Sequence, residues 1–128
     1  MQLESPVGPI CWEETAEGIS ARGILPREAE YFQDHFPDFP VLPGVLALEI
    51  FNRIVEDYLV RRAESDAGSR WRLAGFKDVR FSLYLRPGDE WEARLECLHQ
   101  EKKRVCWKGR LSSHGKSAAQ AQLFLNRE

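Results

Sequence analysis

The chain of 128 residues has no run of about 18 apolar residues, so no membrane-spanning helix is expected. Met1 to Ile10 lacks a basic start followed by an apolar stretch, which argues against a secretory leader. Cysteine is scarce. Cys11, Cys97 and Cys106 make an odd number, which without a leader points to a reducing, cytoplasmic setting. No His/Cys spacing resembles a zinc site, and no phosphate loop or dinucleotide fingerprint appears, so neither metal nor cofactor is expected. Repeats, low-complexity tracts and dividing linkers are also missing. Residues 1–128 therefore read as a single domain.

What is present is ordinary in bulk and uneven in detail. The composition, 43% hydrophobic and 30% charged, suffices for a sizeable core without staples. The net charge is −2, yet residues 1–49 carry nine acids against two bases, and residues 50–86 carry eight bases against five acids. The basic stretch is either a solvated helix end and strand or a landing surface for an acidic partner. Nucleic acid fits poorly, because the overall balance is acidic and no reader motif appears.

Hydrophobic periodicity outlines the elements. Gly8–Glu14 and Ile19–Leu25 read as strands, and Glu28–Gln33 as a helical turn. The loop from Asp34 to Leu42 is braced by Pro37 and Pro40. Pro43 opens a helix running to about Arg62. Its first part, Val45 to Phe51, is apolar nearly all round, the pattern of a surrounded helix. After a polar loop at Ser65–Ser69, odd-numbered apolar residues alternate with polar ones. They run through Val79–Leu85, Trp91–Cys97, Val105–Leu111 and Ala119–Leu125, with turns at Pro87-Gly88-Asp89, Gln100–Lys103 and His114-Gly115. The alternation puts Cys97 on the apolar face and Cys106 on the polar one, against a disulfide between them. A curled antiparallel sheet around one long central helix is an α+β hotdog fold.

One run carries chemistry. His35-Phe36-Pro37-Asp38-Phe39-Pro40-Val41-Leu42-Pro43-Gly44-Val45-Leu46-Ala47-Leu48-Glu49 sets a histidine on the braced loop and a carboxylate in the second turn of the apolar helix. His and Glu in dry surroundings can serve as base and acid. His99 and His114, at turns, read as solvated.

The stretch Tyr31 to Glu49 resembles the signature of the 3-hydroxyacyl-acyl-carrier-protein dehydratases, the FabZ/FabA-like hotdog enzymes. That family has a His-Phe-Pro-Gly loop, then Pro-Val-Met-Pro-Gly-Val, then an acid on the helix. Asp78-Val79-Arg80-Phe81 and Arg86-Pro87-Gly88-Asp89 resemble its second stretch, and Gly115 to Leu123 its final strand. The similarity spans roughly residues 28–125.

The resemblance implies a homodimer with active sites shared between subunits; whether it stops at the dimer or goes on to a trimer of dimers stays open. His35 would be the base at the α-carbon of a 3-hydroxyacyl thioester on acyl carrier protein, and Glu49 would protonate, or bind water against, the departing β-hydroxyl. The Gly44 N–H, at a helix N-terminus, suits the oxyanion that forms. Phe36, Phe39 and Leu42 would line an acyl tunnel, and Arg61, Arg62, Arg70 and Arg72 would meet the acidic carrier. Three positions depart from the pattern. Arg53 replaces the usual Gln and is spaced to pair with Glu49, which favours the ionised carboxylate. Asp38 replaces a Gly and Tyr84 a Pro. Two other functions stay open: a hotdog acyl thioesterase with Glu49 as base, and a non-catalytic acyl-binding or assembly subunit, which Arg53 favours.

Overall fold

The computed structural model describes residues 1–34, 40–62 and 70–128. Strands β1 (Gln2–Leu3), β2 (Ile10–Thr15) and β3 (Gly18–Ile24) precede two helices, α1 (Glu30–Asp34) and α2 (Gly44–Arg62). Strands β4 (Trp71–Phe81), β5 (Glu90–Gln100), β6 (Arg104–Ser113) and β7 (Lys116–Arg127) come after them. All seven strands form one antiparallel sheet in the order β1-β2-β3-β5-β6-β7-β4.

The sheet curls around α2, which buries Ala47, Ile50, Phe51, Ile54, Val55 and Leu59 against it. These positions recur at helical spacing, so one side of the helix supplies the core. From the sheet come Trp91, Ala93, Leu95, Val105, Trp107, Leu111, Ala119, Ala121, Leu123 and Leu125. The odd-numbered alternation therefore holds at Trp91–Leu95, Val105–Leu111 and Ala119–Leu125, although Cys97 beyond it on β5 is exposed and the even-numbered Cys106 is buried. Phe51 fits because Gly109, across from it on β6, has no side chain: a Cβ there would lie 2.6 Å from the Phe51 ring.

Tight turns obey their local chemistry. At Arg86–Asp89 the Asp89 N–H donates to the Arg86 carbonyl at 3.0 Å, and Gly88 takes a φ of 82° after Pro87, as a type II turn requires. His114 and Gly115 both adopt positive φ, the mark of a two-residue hairpin turn.

Strand β4 departs from expectation. The strand anticipated at Val79–Leu85 is instead Trp71–Phe81, and Ser82–Asp89 lies outside any strand. Register shifts between Leu73 and Gly75 and between Lys77 and Arg80 explain this. Each extra residue reverses the parity of the residues after it. Leu73 and Phe76 pair with the core residues Leu125 and Leu123 and pack against the core; Phe81, opposite Ala119, is on the same side of the ladder but remains exposed, and Lys77 and Arg80 both lie on the other side. Asp78 sits in the second bulge with a φ of 54°. The short β1 was not anticipated, and His99 lies within β5 rather than at a turn.

The helix also differs from the surrounded rod its sequence suggests. Val45 is 73% exposed and Val60 is exposed too, because one sheet covers only one side. The three cysteines are free. Cys97 pairs across the ladder with Trp107, and Cys106 with His99, which keeps the two on opposite faces.

Candidate active site at the start of the central helix

The local frame is set by backbone bonds on either side of α2. The Leu42 N–H donates to the Leu85 carbonyl at 2.7 Å, tying the residue before the helix to the segment after β4. The Pro43 carbonyl accepts from Leu46 and Ala47 at 3.0 and 3.2 Å. The N–H groups of Gly44 and Val45 thus precede the first bonds of the helix, where orphan donors and the positive end of the dipole suit an anionic oxygen. Gly44 is also a contact point. A Cβ on it would lie 2.8 Å from Cζ of Phe81, so the ring rests against the glycine. Phe81 in turn stacks on Tyr84, with centroids 6.2 Å apart.

Glu49 stands in the second turn of the same helix. Its Oε1 accepts from Arg53 Nε at 3.2 Å, the ion pair that the four-residue spacing predicts. Its side chain is 35% exposed, so the dry setting anticipated for it is absent within one chain; the sheet wraps the other side of α2. Next to this pair runs a second one. Asn52 Nδ2 donates to Glu56 Oε1 at 3.0 Å. Asn52 is only 6% exposed, and its Oδ1 is buried without a partner among the described residues. Asn52 was not singled out from the sequence, and Phe81 entered only as part of the Asp78–Phe81 stretch, with no role at the site. Asn52 was legible as a polar residue in an apolar run; the contact of Phe81 with Gly44 depends on the bulged register of β4.

The remaining expected residues fall in different places. His35, Phe36 and Phe39 lie outside the described residues, as does the Ser65–Ser69 loop. Leu42 is fully enclosed in the core. Of the arginines assigned to an acidic carrier, Arg61 binds Asp57 at 3.0 Å, Arg62 binds Glu14 and lies over the Tyr58 ring, and Arg72 binds Glu128. Arg70 is exposed. A cavity of about 880 Å³ opens between Arg22, Ile24, Trp91 and His114, and none of its lining residues comes from α2. Among the described residues no cluster of His, Cys, Asp and Glu is placed to hold a metal, and no helix is long and apolar enough to cross a membrane.

A curled antiparallel sheet around one central helix, with polar groups at the helix start, defines a hotdog protein. The fold is shared with solved structures. A mutant thioesterase from Pseudomonas aeruginosa superposes with a TM-score of 0.69 at 18% identity, covering 92% of this chain and 80% of that one. The dehydratase heterocomplex ApeI:P from Xenorhabdus doucetiae gives 0.62 at 21% identity, covering 99% and 97%.

The sequence comparisons narrow the class. The ApeI-like family model, described as ApeI dehydratase, matches residues 12–122. The 3-hydroxyacyl-acyl-carrier-protein dehydratase FabZ of Halalkalibacterium halodurans is 31% identical over 114 residues, covering 88% of this chain and 81% of its own. The chain belongs to the ApeI-like dehydratase family.

Proposed function

We propose that the protein dehydrates a 3-hydroxyacyl thioester, presented on acyl carrier protein, to a trans-2-enoyl thioester and water. The observation that carries this reading is the dehydratase family match over residues 12–122, which spans His35, Gly44 and Glu49 together. The geometry supports it, since α2 presents an N-terminal donor and, one turn on, a carboxylate.

In this reading His35 takes a proton from C2, and the electron pair moves onto the thioester carbonyl. The Gly44 N–H donates to the oxygen that becomes negative. The C2–C3 double bond forms as the C3–O bond breaks, and Glu49 supplies the proton with which the hydroxyl leaves as water. His35 gains one proton and Glu49 loses one, so the cycle closes by returning it. The step requires Glu49 to enter neutral: Arg53 engages Oε1, and Oε2 carries the proton that passes to the hydroxyl. Phe36 and Phe39 flank the acyl chain, and Leu42 backs the tunnel from within the core. Neither metal nor cofactor is needed for these steps.

The site is completed in a homodimer, His35 of one subunit serving Glu49 of the other. Support comes from an uncovered surface. Strand β4 is a sheet edge, and beside it Val45, Val79, Phe81, Leu83 and Tyr84 are exposed apolar side chains. Exposed edges and apolar patches of this kind mark association surfaces.

The test is to incubate the protein with a trans-2-enoyl thioester, monitoring loss of the conjugated double bond and release of free thiol in parallel. Hydration without thiol release is the expected result. Thiol release identifies a thioesterase, and silence in both channels an acyl-binding subunit. Hydration that survives both His35→Ala and Glu49→Gln removes the site assignment.

A further inference from the structure

The side of the sheet turned away from α2 carries a row of cations. In the ladder, Arg94 on β5 lies directly opposite Arg110 on β6, Arg110 opposite Gln120 on β7, and Gln120 opposite Arg80 on β4. The adjacent row holds Lys108, Gln122 and Lys77. Directly opposed residues share a face. The neighbours Ala93 and Leu111 fill the core, so the arginines point to the other side. Lys77 and Arg80 join the same face only because the second bulge of β4 reverses parity between them.

Like charges set directly opposite oppose strand pairing, and Arg94 faces Arg110 in this way. Arg80, Arg94 and Arg110 have no hydrogen-bond or ion-pair partner among the described residues. Arg53, Arg61, Arg62 and Arg72, by contrast, are each held by a carboxylate. A cavity of about 470 Å³ indents the face, lined by Arg94, Lys108 and Arg110 together with Glu13, Glu17 and Glu96.

We propose that this outer face, centred on Arg80, Arg94 and Arg110, is the docking surface for the acidic carrier that presents the thioester. The proposal rests on the dehydration reading and assigns the carrier a place on the sheet rather than along the end of α2. Three strand spacings of about 4.8 Å separate Arg80 from Arg94, a reach of about 14 Å. Two to three turns of an acidic helix, at about 5.4 Å each, match that length. The row begins beside the site, since Arg80 adjoins Phe81, whose ring rests on Gly44. Carboxylates are interleaved with the cations, Glu96 opposite Lys108 and Glu92 opposite Arg22. That mixed pattern suits a protein surface of matched charge better than the uniform charge of a nucleic acid.

The test compares one acyl group on two carriers: acyl carrier protein and the small thiol N-acetylcysteamine. Arg94→Glu combined with Arg110→Glu alters two exposed side chains. With the carrier-bound enoyl thioester, KM is expected to rise at least tenfold, by an amount that shrinks with added salt. Kinetics on the N-acetylcysteamine thioester are expected to stay at wild-type values. An unchanged KM for the carrier substrate, or an equal loss on both substrates, overturns the proposal. If wild type turns over neither thioester, the dehydration reading fails separately. Direct titration of apo-carrier then decides the surface: binding by wild type that is lost in the double variant supports it, and no binding, or binding that the variant retains, overturns it. Tight binding of a random oligonucleotide, with no binding of carrier, overturns it as well.

Discussion

Gly109 and Phe51 show how closely this core is specified at single positions. Phe51 is fully buried, and the ring lies where a Cβ on residue 109 would go. Gly109→Ala is therefore expected to lower stability by about 1–3 kcal/mol, the usual cost of overpacking, as measured by urea unfolding. Gly44 has the same relation to Phe81, but that ring is partly exposed and can shift, so substitution there acts on the site more than on the fold. The cysteines give a second test at this scale. Burial pushes the Cys97 thiol up, opposed by its bond to the His99 carbonyl, and burial pushes Cys106 up against the pull of Arg104. Because the thiolate is the reactive form, alkylation of both by iodoacetamide should be slow at neutral pH and accelerate only above the ordinary cysteine range. Peptide mass spectrometry across a pH series checks this; fast labelling of Cys97 at pH 7 contradicts it.

Among the elements, α2 was legible because it combines a proline start, an apolar stripe at helical spacing and basic residues in its last turn. Its second half is anchored by Trp12 of β2, whose Nε1 donates to Asp57 Oδ2 at 2.7 Å, and by Tyr58, whose hydroxyl donates to Glu14 at 3.0 Å. Trp12→Phe keeps most of the buried ring and deletes the bond to a charged acceptor. It should cost about 1.5–3 kcal/mol in denaturant unfolding with the helical signal intact; a variant as stable as wild type would show the bond to be dispensable. Strands β5 to β7 were legible by strict alternation. Strand β4 was not, because two bulges change which residues face the core, and a bulge leaves no signature in a period-two pattern. Val79 stays in the strand and Leu83 lies beyond it, and both are surface rather than core.

At the scale of the whole molecule, one chain leaves its proposed chemistry unfinished. Glu49 is part-exposed, and an apolar surface of Val45, Val79, Phe81, Leu83 and Tyr84 stands open beside the helix start. Light scattering after size exclusion is expected to give a dimer or a multiple of one. Leu83→Asp with Tyr84→Asp should yield monomer and reduce enoyl thioester hydration at least a hundredfold, since each monomer then lacks one half of the acid–base pair. Full activity from a demonstrated monomer would place both groups within one chain.

Local chemistry written in the sequence determined the central helix, the alternating strands, the turns at Pro87-Gly88 and His114-Gly115, and the pairing of Glu49 with Arg53. Each depends on residues a few positions apart, whose relative geometry the backbone itself dictates. The tertiary structure alone decided the register of β4, the seating of Phe81 on Gly44, the half-open setting of Glu49 and the arginine row on the outer face. Those features arise where strands distant in sequence meet. A one-residue slip there changes which side chains face the helix, and only the assembled sheet settles it.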